Sequence, residues 1–236
     1  MSIAFQEAKN RNQNNSLASF VMNMNEPLKP VVNQLTVETT MPIFWADLSH
    51  TPDQLLMARQ AIDELRAANP ETVQSNVKSA YMSSWKSHQL NDKLLPICQT
   101  VTEYARQAAL QHMNTDLAKL NWGLQVTDYW GAIYEESDYT IAHSHFPSDF
   151  SGVVYLEAEE NCAPIIFANK LVVQPKPRML VMFPGLLLHS VPKTQGRRVV
   201  LVMNMHKFPS FPAAGPAPEA DPTKAEAQSA SVAHAV

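Results

Sequence analysis

The chain has 236 residues, a formal net charge of -4 and a pI near 6.0, enough for one domain of ordinary size with residues to spare at the ends. This charge balance gives no general basic surface for a phosphate backbone, and no apolar run approaches the roughly 20 residues of a membrane span. Neither nucleic acid nor membrane is therefore expected as a partner. Cys98 and Cys162 stand far apart, outside any CxxC or Cys/His spacing. With a start too polar for a secretory signal, they read as reduced thiols in a soluble cytoplasmic protein.

In chain order, residues 1–34 are rich in Asn and Gln around a short apolar stretch, SFVMNM, and read as an N-terminal arm, either loose or a short packed helix. TPDQLLMARQAIDELRAANP then predicts a helix. Thr51 or Asp53 can cap it, Leu55, Ala58, Ile62 and Leu65 recur at helical spacing, and Asn69-Pro70 ends it. A second helix is predicted from about Asp92 to His112, with one stripe through Leu94, Ile97, Val101, Tyr104, Ala105 and Ala108 and with Pro96 in its first turn.

After Leu120 the period becomes strand-like. Gln125 to Tyr134, Gly152 to Leu156, Pro164 to Phe167, Leu180 to Phe183 and Arg197 to Met205 are short β-rich runs between turn-forming residues. Two helices followed by many short strands predict helices on one side of a β sandwich or barrel over residues 35–208. Residues 209–236 are Ala/Pro/Glu/Ser-rich, with almost no large apolar side chains to offset ordering entropy, and read as a disordered tail.

Chemistry concentrates in IAHSHFPSDFSGVVYL, residues 141–156. In extended backbone alternate side chains share a face, so His143 and His145 can enter one cavity while Ser144 points away. Such a pair suits Fe(II) or Zn(II), with His189, at the end of an apolar strand, as the natural third ligand. In RRVVLVMNM, alternation puts Arg198, Val200, Val202 and Asn204 on one face and Arg197, Val199, Leu201, Met203 and Met205 on the other. The second face suits packing against the helices. A guanidinium and an amide on the first call for an anionic or polar ligand to pair with them.

Taken as an ordered set, WGAIYEESDYTIAHSH, SGVVYL, FPGLLLHSV and GRRVVLVMN resemble the core of the Fe(II)/2-oxoglutarate-dependent dioxygenases, in particular their prolyl-hydroxylase-like and phage or bacterial branches. SNVKSAYMSSW extends the likeness, which runs from about Ser75 to Lys207. The resemblance implies a mainly β fold with flanking helices, a double-stranded β-helix or jelly roll, with iron at its mouth. It also implies 2-oxoglutarate, whose far carboxylate Arg198 would bind, with Tyr134, Tyr139 and Tyr155 as cavity aromatics and Tyr134 or Tyr155 as a donor. Asn204 would touch 2-oxoglutarate or substrate. Ascorbate would serve as a reductant, and the reaction would hydroxylate a peptide residue or an amino-acid-like small molecule with dioxygen, releasing succinate and CO2.

The family usually places an aspartate where this chain has His145. Either three imidazoles hold the metal or Asp149 supplies a carboxylate in place of His145; the i, i+2 geometry and the turn expected at Pro147 favour His145. Competing expectations are a cupin, which His143, His145, Asp149, Pro184-Gly185 and His189 imitate, a three-histidine zinc enzyme, and a non-catalytic jelly-roll module. Arg198 has no role in the first two.

Overall fold

The computed structural model describes residues 40–210. The N-terminal arm expected over residues 1–34 and nearly all of the expected tail lie outside the described residues. Strand β1 (Phe44–Asp47) leads into helix α1 (Pro52–Ala68). The short β2 (Val77–Lys78), β3 (Tyr81–Met82) and α2 (Ser87–Leu90) follow, and a 3-10 turn at Asp92–Leu94 enters helix α3 (Leu95–His112). The rest is strand: β4 (Trp122–Tyr134), β5 (Tyr139–His143), β6 (Phe150–Ala158), β7 (Ile165–Phe167), β8 (Leu171–Val173), β9 (Met179–Pro184), β10 (His189–Val191) and β11 (Arg198–Pro209). None of the described helices is long and apolar enough to cross a membrane.

Two antiparallel sheets result, one in the order β1-β9-β6-β11-β4-β3 and the other β2-β5-β10-β7-β8. They enclose an apolar layer including Trp130, Tyr134, Tyr155, Phe167, Phe183 and Val202. The outer face of the larger sheet is covered by the helices. There Leu55, Ala58 and Ile62 of α1 and Ile97, Val101 and Ala105 of α3 pack with Val199, Leu201 and Met203 of β11. Helices on one side of a double-stranded β-helix are therefore the observed architecture, and β11 divides its side chains between the two layers as alternation requires.

Local chemistry explains the contacts between layers. A methyl group on Gly131 would lie 2.7 Å from Ile62, so α1 reaches β4 only because that residue is glycine. Thr51 precedes α1 but does not cap it through its side chain; its hydroxyl donates instead to the Leu48 carbonyl at 2.9 Å. Pro52 lacks an N–H and removes part of the need for a cap. His189 does not end an apolar strand. β9 stops at Pro184, the chain turns at Gly185, and His189 opens β10 in the other sheet. The last strand also runs on through Pro209, so the first residue of the expected tail belongs to the sheet.

Candidate metal centre

His143 and His189 are register partners on the antiparallel strands β5 and β10, which places their side chains side by side on one face. His145 lies two residues beyond His143, past the end of β5, and its backbone N–H donates to the Gly185 carbonyl at 2.6 Å. Gly185 donates in return to the Asp149 carbonyl at 3.1 Å. A methyl group at Gly185 would meet the Ser148 carbonyl oxygen at 2.1 Å. No larger residue fits this junction, where the HxH loop is fastened to the turn that delivers His189.

The three rings have centroids 4.5 to 5.0 Å apart, and one nitrogen from each can lie within 4.8 Å of the others. His143 Nδ1 lies 2.8 Å from the Ile141 carbonyl and His189 Nδ1 lies 3.0 Å from the Leu187 carbonyl. A carbonyl only accepts, so both Nδ1 atoms carry the proton and both Nε2 lone pairs are free for a ligand. Burial lowers the His143 pKa and pushes His145 down to about 3 and His189 to about 4, with neighbouring histidines adding to the fall in the latter two. Near neutral pH the cluster is three neutral imidazoles, the protonation state a divalent cation needs.

The cavity in front of these rings is about 40 Å³, and Tyr134, Thr140, Tyr155, Ile165, Arg198 and Val200 are among its lining. Arg198 is almost wholly buried. Its Nη1 donates to the Ala163 carbonyl at 3.2 Å, its guanidinium carbon lies 4.1 Å from the Tyr134 ring centre, and its Nε has no partner. The Tyr134 hydroxyl and Thr140 Oγ1 are 2.7 Å apart. Burial raises the Tyr155 phenol to about 12 against the lowering pull of Arg198, so it stays protonated.

His143, His145, His189, Arg198, Tyr134 and Tyr155 thus share one cavity. Asp149 does not: its carboxylate accepts the Lys207 backbone N–H at 2.7 Å and pairs with Lys207 Nζ at 3.0 Å. Asn204 lies elsewhere too. It lines an adjoining cavity of about 250 Å³ that shares Val77, Trp130, His143 and His145 with the first. Tyr139 lines neither of these cavities. The sequence reading passed over Trp130, Trp85 and Asp128, which belong to the second cavity; the alternation that picked out Tyr134 reaches Trp130 four residues earlier. A larger groove of about 770 Å³, between α3 and the start of β4, holds none of the three clustered histidines.

No family model and no curated protein matches the chain. Solved structures do. A prolyl hydroxylase from Trichoplax adhaerens, in complex with a hypoxia-inducible-factor peptide fragment, aligns over 70% of this chain and 83% of its own at 11% identity and a TM-score of 0.53. AviO1 from Streptomyces viridochromogenes aligns over 75% and 92% at 15% identity and a TM-score of 0.50. An oxidoreductase of the 2OG-Fe(II) oxygenase family from Burkholderia pseudomallei is matched over 36% of this chain at 13% identity and a TM-score of 0.33; this chain spans only 44% of that one. The first two share this chain's fold.

Proposed function

We propose that the protein is an Fe(II)- and 2-oxoglutarate-dependent dioxygenase that hydroxylates a peptide residue or an amino-acid-like small molecule. One observation carries this reading: a buried guanidinium with an unpartnered Nε faces the same cavity as three neutral imidazoles. A buried unpaired donor is costly, and a carboxylate satisfies it with charge-assisted hydrogen bonds. The fold shared with a prolyl hydroxylase supports the reading. A zinc hydrolase would use the same histidines and leave Arg198 without purpose.

His143, His145 and His189 would hold the metal through nitrogen, and Arg198 would bind the far carboxylate of 2-oxoglutarate, with the Tyr134 hydroxyl beside it. Iron(II) with 2-oxoglutarate supplies dioxygen activation coupled to decarboxylation, which yields succinate, CO2 and a hydroxylated substrate. The chain contributes orientation and exclusion of water by Val153, Ile165 and Val200. At about 40 Å³ the cavity is smaller than a five-carbon dicarboxylate, so 2-oxoglutarate has to push its walls apart on entering.

The test is anaerobic addition of Fe(II) and then 2-oxoglutarate, followed by oxygen with succinate measured. A weak visible band that needs both components, and succinate that needs iron, are expected. Arg198→Met should keep iron and raise the 2-oxoglutarate requirement by at least about tenfold, the worth of a charged hydrogen bond. Succinate formation with an unchanged 2-oxoglutarate requirement would overturn the role of Arg198, and iron binding with no band would overturn the cofactor reading.

A further inference from the structure

The second cavity opens on the other side of His143 and His145 from Arg198 and holds polar groups that the cofactor does not explain. Trp130, 1% exposed, stands in the wall common to both cavities, 5.8 Å from the His145 ring between centroids. Its indole N–H is buried and has no partner. Indole nitrogen only donates, so this group calls for an acceptor that the protein does not provide. Nearby, the Asn204 carbonyl oxygen accepts from Ser151 Oγ at 3.2 Å and its amide nitrogen donates to Asp128 Oδ2 at 3.4 Å. That amide has two N–H groups, and the second is left for the cavity.

Charge narrows the ligand further. Asp128, the carboxylate on this cavity, is already neutralised by Lys86 Nζ at 3.0 Å from its Oδ1. The Oδ2 atom receives one long hydrogen bond and keeps acceptor capacity. Donors at Trp130 and Asn204, an acceptor at Asp128 and no uncompensated charge match a group that is both acceptor and donor and is itself neutral. A carboxamide has those properties. A free amino acid does not, because its ammonium and carboxylate would each need desolvating without a full opposite charge. Trp85 packs edge-on to Trp130 with centroids 4.6 Å apart, and Phe146, exposed beside His145, also lines this cavity. These rings form apolar walls for the carbon skeleton next to the amide.

We propose that this cavity is the substrate chamber and that it recognises a neutral amide, with Trp130 and Asn204 donating to its oxygen and Asp128 accepting from its N–H. The amide comes either from a peptide backbone or from a small carboxamide. That the bound compound is hydroxylated rests on the oxygenase reading; that it binds does not.

The experiment uses the full chain loaded with zinc(II), which cannot turn over, and follows its four tryptophan indole N–H signals by nitrogen-15 NMR, with Trp130 assigned from Trp130→Phe. The probes are N-acetyl-L-proline methylamide, a blocked tetrapeptide, propionamide and free L-proline. The expected result is a saturable downfield shift of the Trp130 signal with the blocked amides and none with free proline. Propionamide binding as well as the tetrapeptide would identify a small-carboxamide source, and tetrapeptide binding alone a peptide. Asn204→Ala should weaken the binding by about tenfold, one hydrogen bond's worth. It also serves as the variant to read if Trp130→Phe does not fold. A shift with free proline and none with the amides, no shift with any probe, or binding indifferent to Asn204 would each overturn the proposal. Amide binding without succinate formation by the iron-loaded protein would leave the chamber standing and remove the oxygenase reading; succinate formation without amide binding would do the reverse.

Discussion

The two faces of β11 carry much the same apolar content and do different work. Val199, Leu201, Met203 and Met205 lie in the layer shared with α1 and α3 and are fully buried. Val200 and Val202 face the other sheet, but on that side the strand also carries Arg198 near one cavity and Asn204 near the next. A face closed by helices can be filled with hydrocarbon and contributes stability. The face turned toward the second sheet keeps polar groups with unmet hydrogen-bonding capacity, and that capacity is what a ligand can use. Substitutions on the two sides should therefore separate folding from binding.

The largest effect is expected at the metal. His189→Ala removes one of three ligands and should weaken iron or zinc binding by at least about a hundredfold, since even groups supporting a ligand are worth 10- to 100-fold; calorimetric titration of the folded variant measures it, and retention of affinity would exclude His189 as a ligand. Leu201→Ala strikes the helix-facing side and should cost about 2–5 kcal/mol in urea unfolding while the folded fraction binds metal as before. A fall in metal affinity there would mean the two faces are coupled.

Acid separates the faces without mutation. His145 and His189 have pKa values depressed to about 3 and 4, so below about pH 6.5 the unfolded chain takes up protons that the folded chain refuses. The metal-free protein should lose stability progressively as pH falls from about 6.5 toward 4, measured as a falling urea midpoint. His145→Phe should flatten that slope, and an unchanged slope would show that the loss comes from carboxylates. The smallest effect belongs to Asp149→Ala, whose partly exposed pair with Lys207 predicts a stability loss within about 1 kcal/mol and unaltered metal binding.

Much of this was legible in the chain because it rests on period and order. The two long helices and the longer strands carry enough turns or alternations to declare themselves. Three-residue strands such as Leu171–Val173 and His189–Val191 do not, being too short for any period to emerge. The HxH spacing, the late histidine and Arg198 fixed the site's membership. The cavity each residue serves was harder to read: alternation put Asn204 on the face of Arg198, yet the histidines divide the space that face looks into. Trp130 went unnoticed because an indole amid an apolar strand reads as core until its N–H is found without a partner.

The junction at Gly185 has a consequence for how the protein comes to hold iron. Backbone bonds fasten the loop bearing His145 to the turn that leads into His189, and β-ladder pairing sets His143 against His189. All three nitrogens are thus positioned by peptide geometry that requires no ion. Metal is then a late arrival to a finished shell: chelators should strip it and leave the barrel intact, and apoprotein should refold unaided, unlike small domains that assemble only around their zinc.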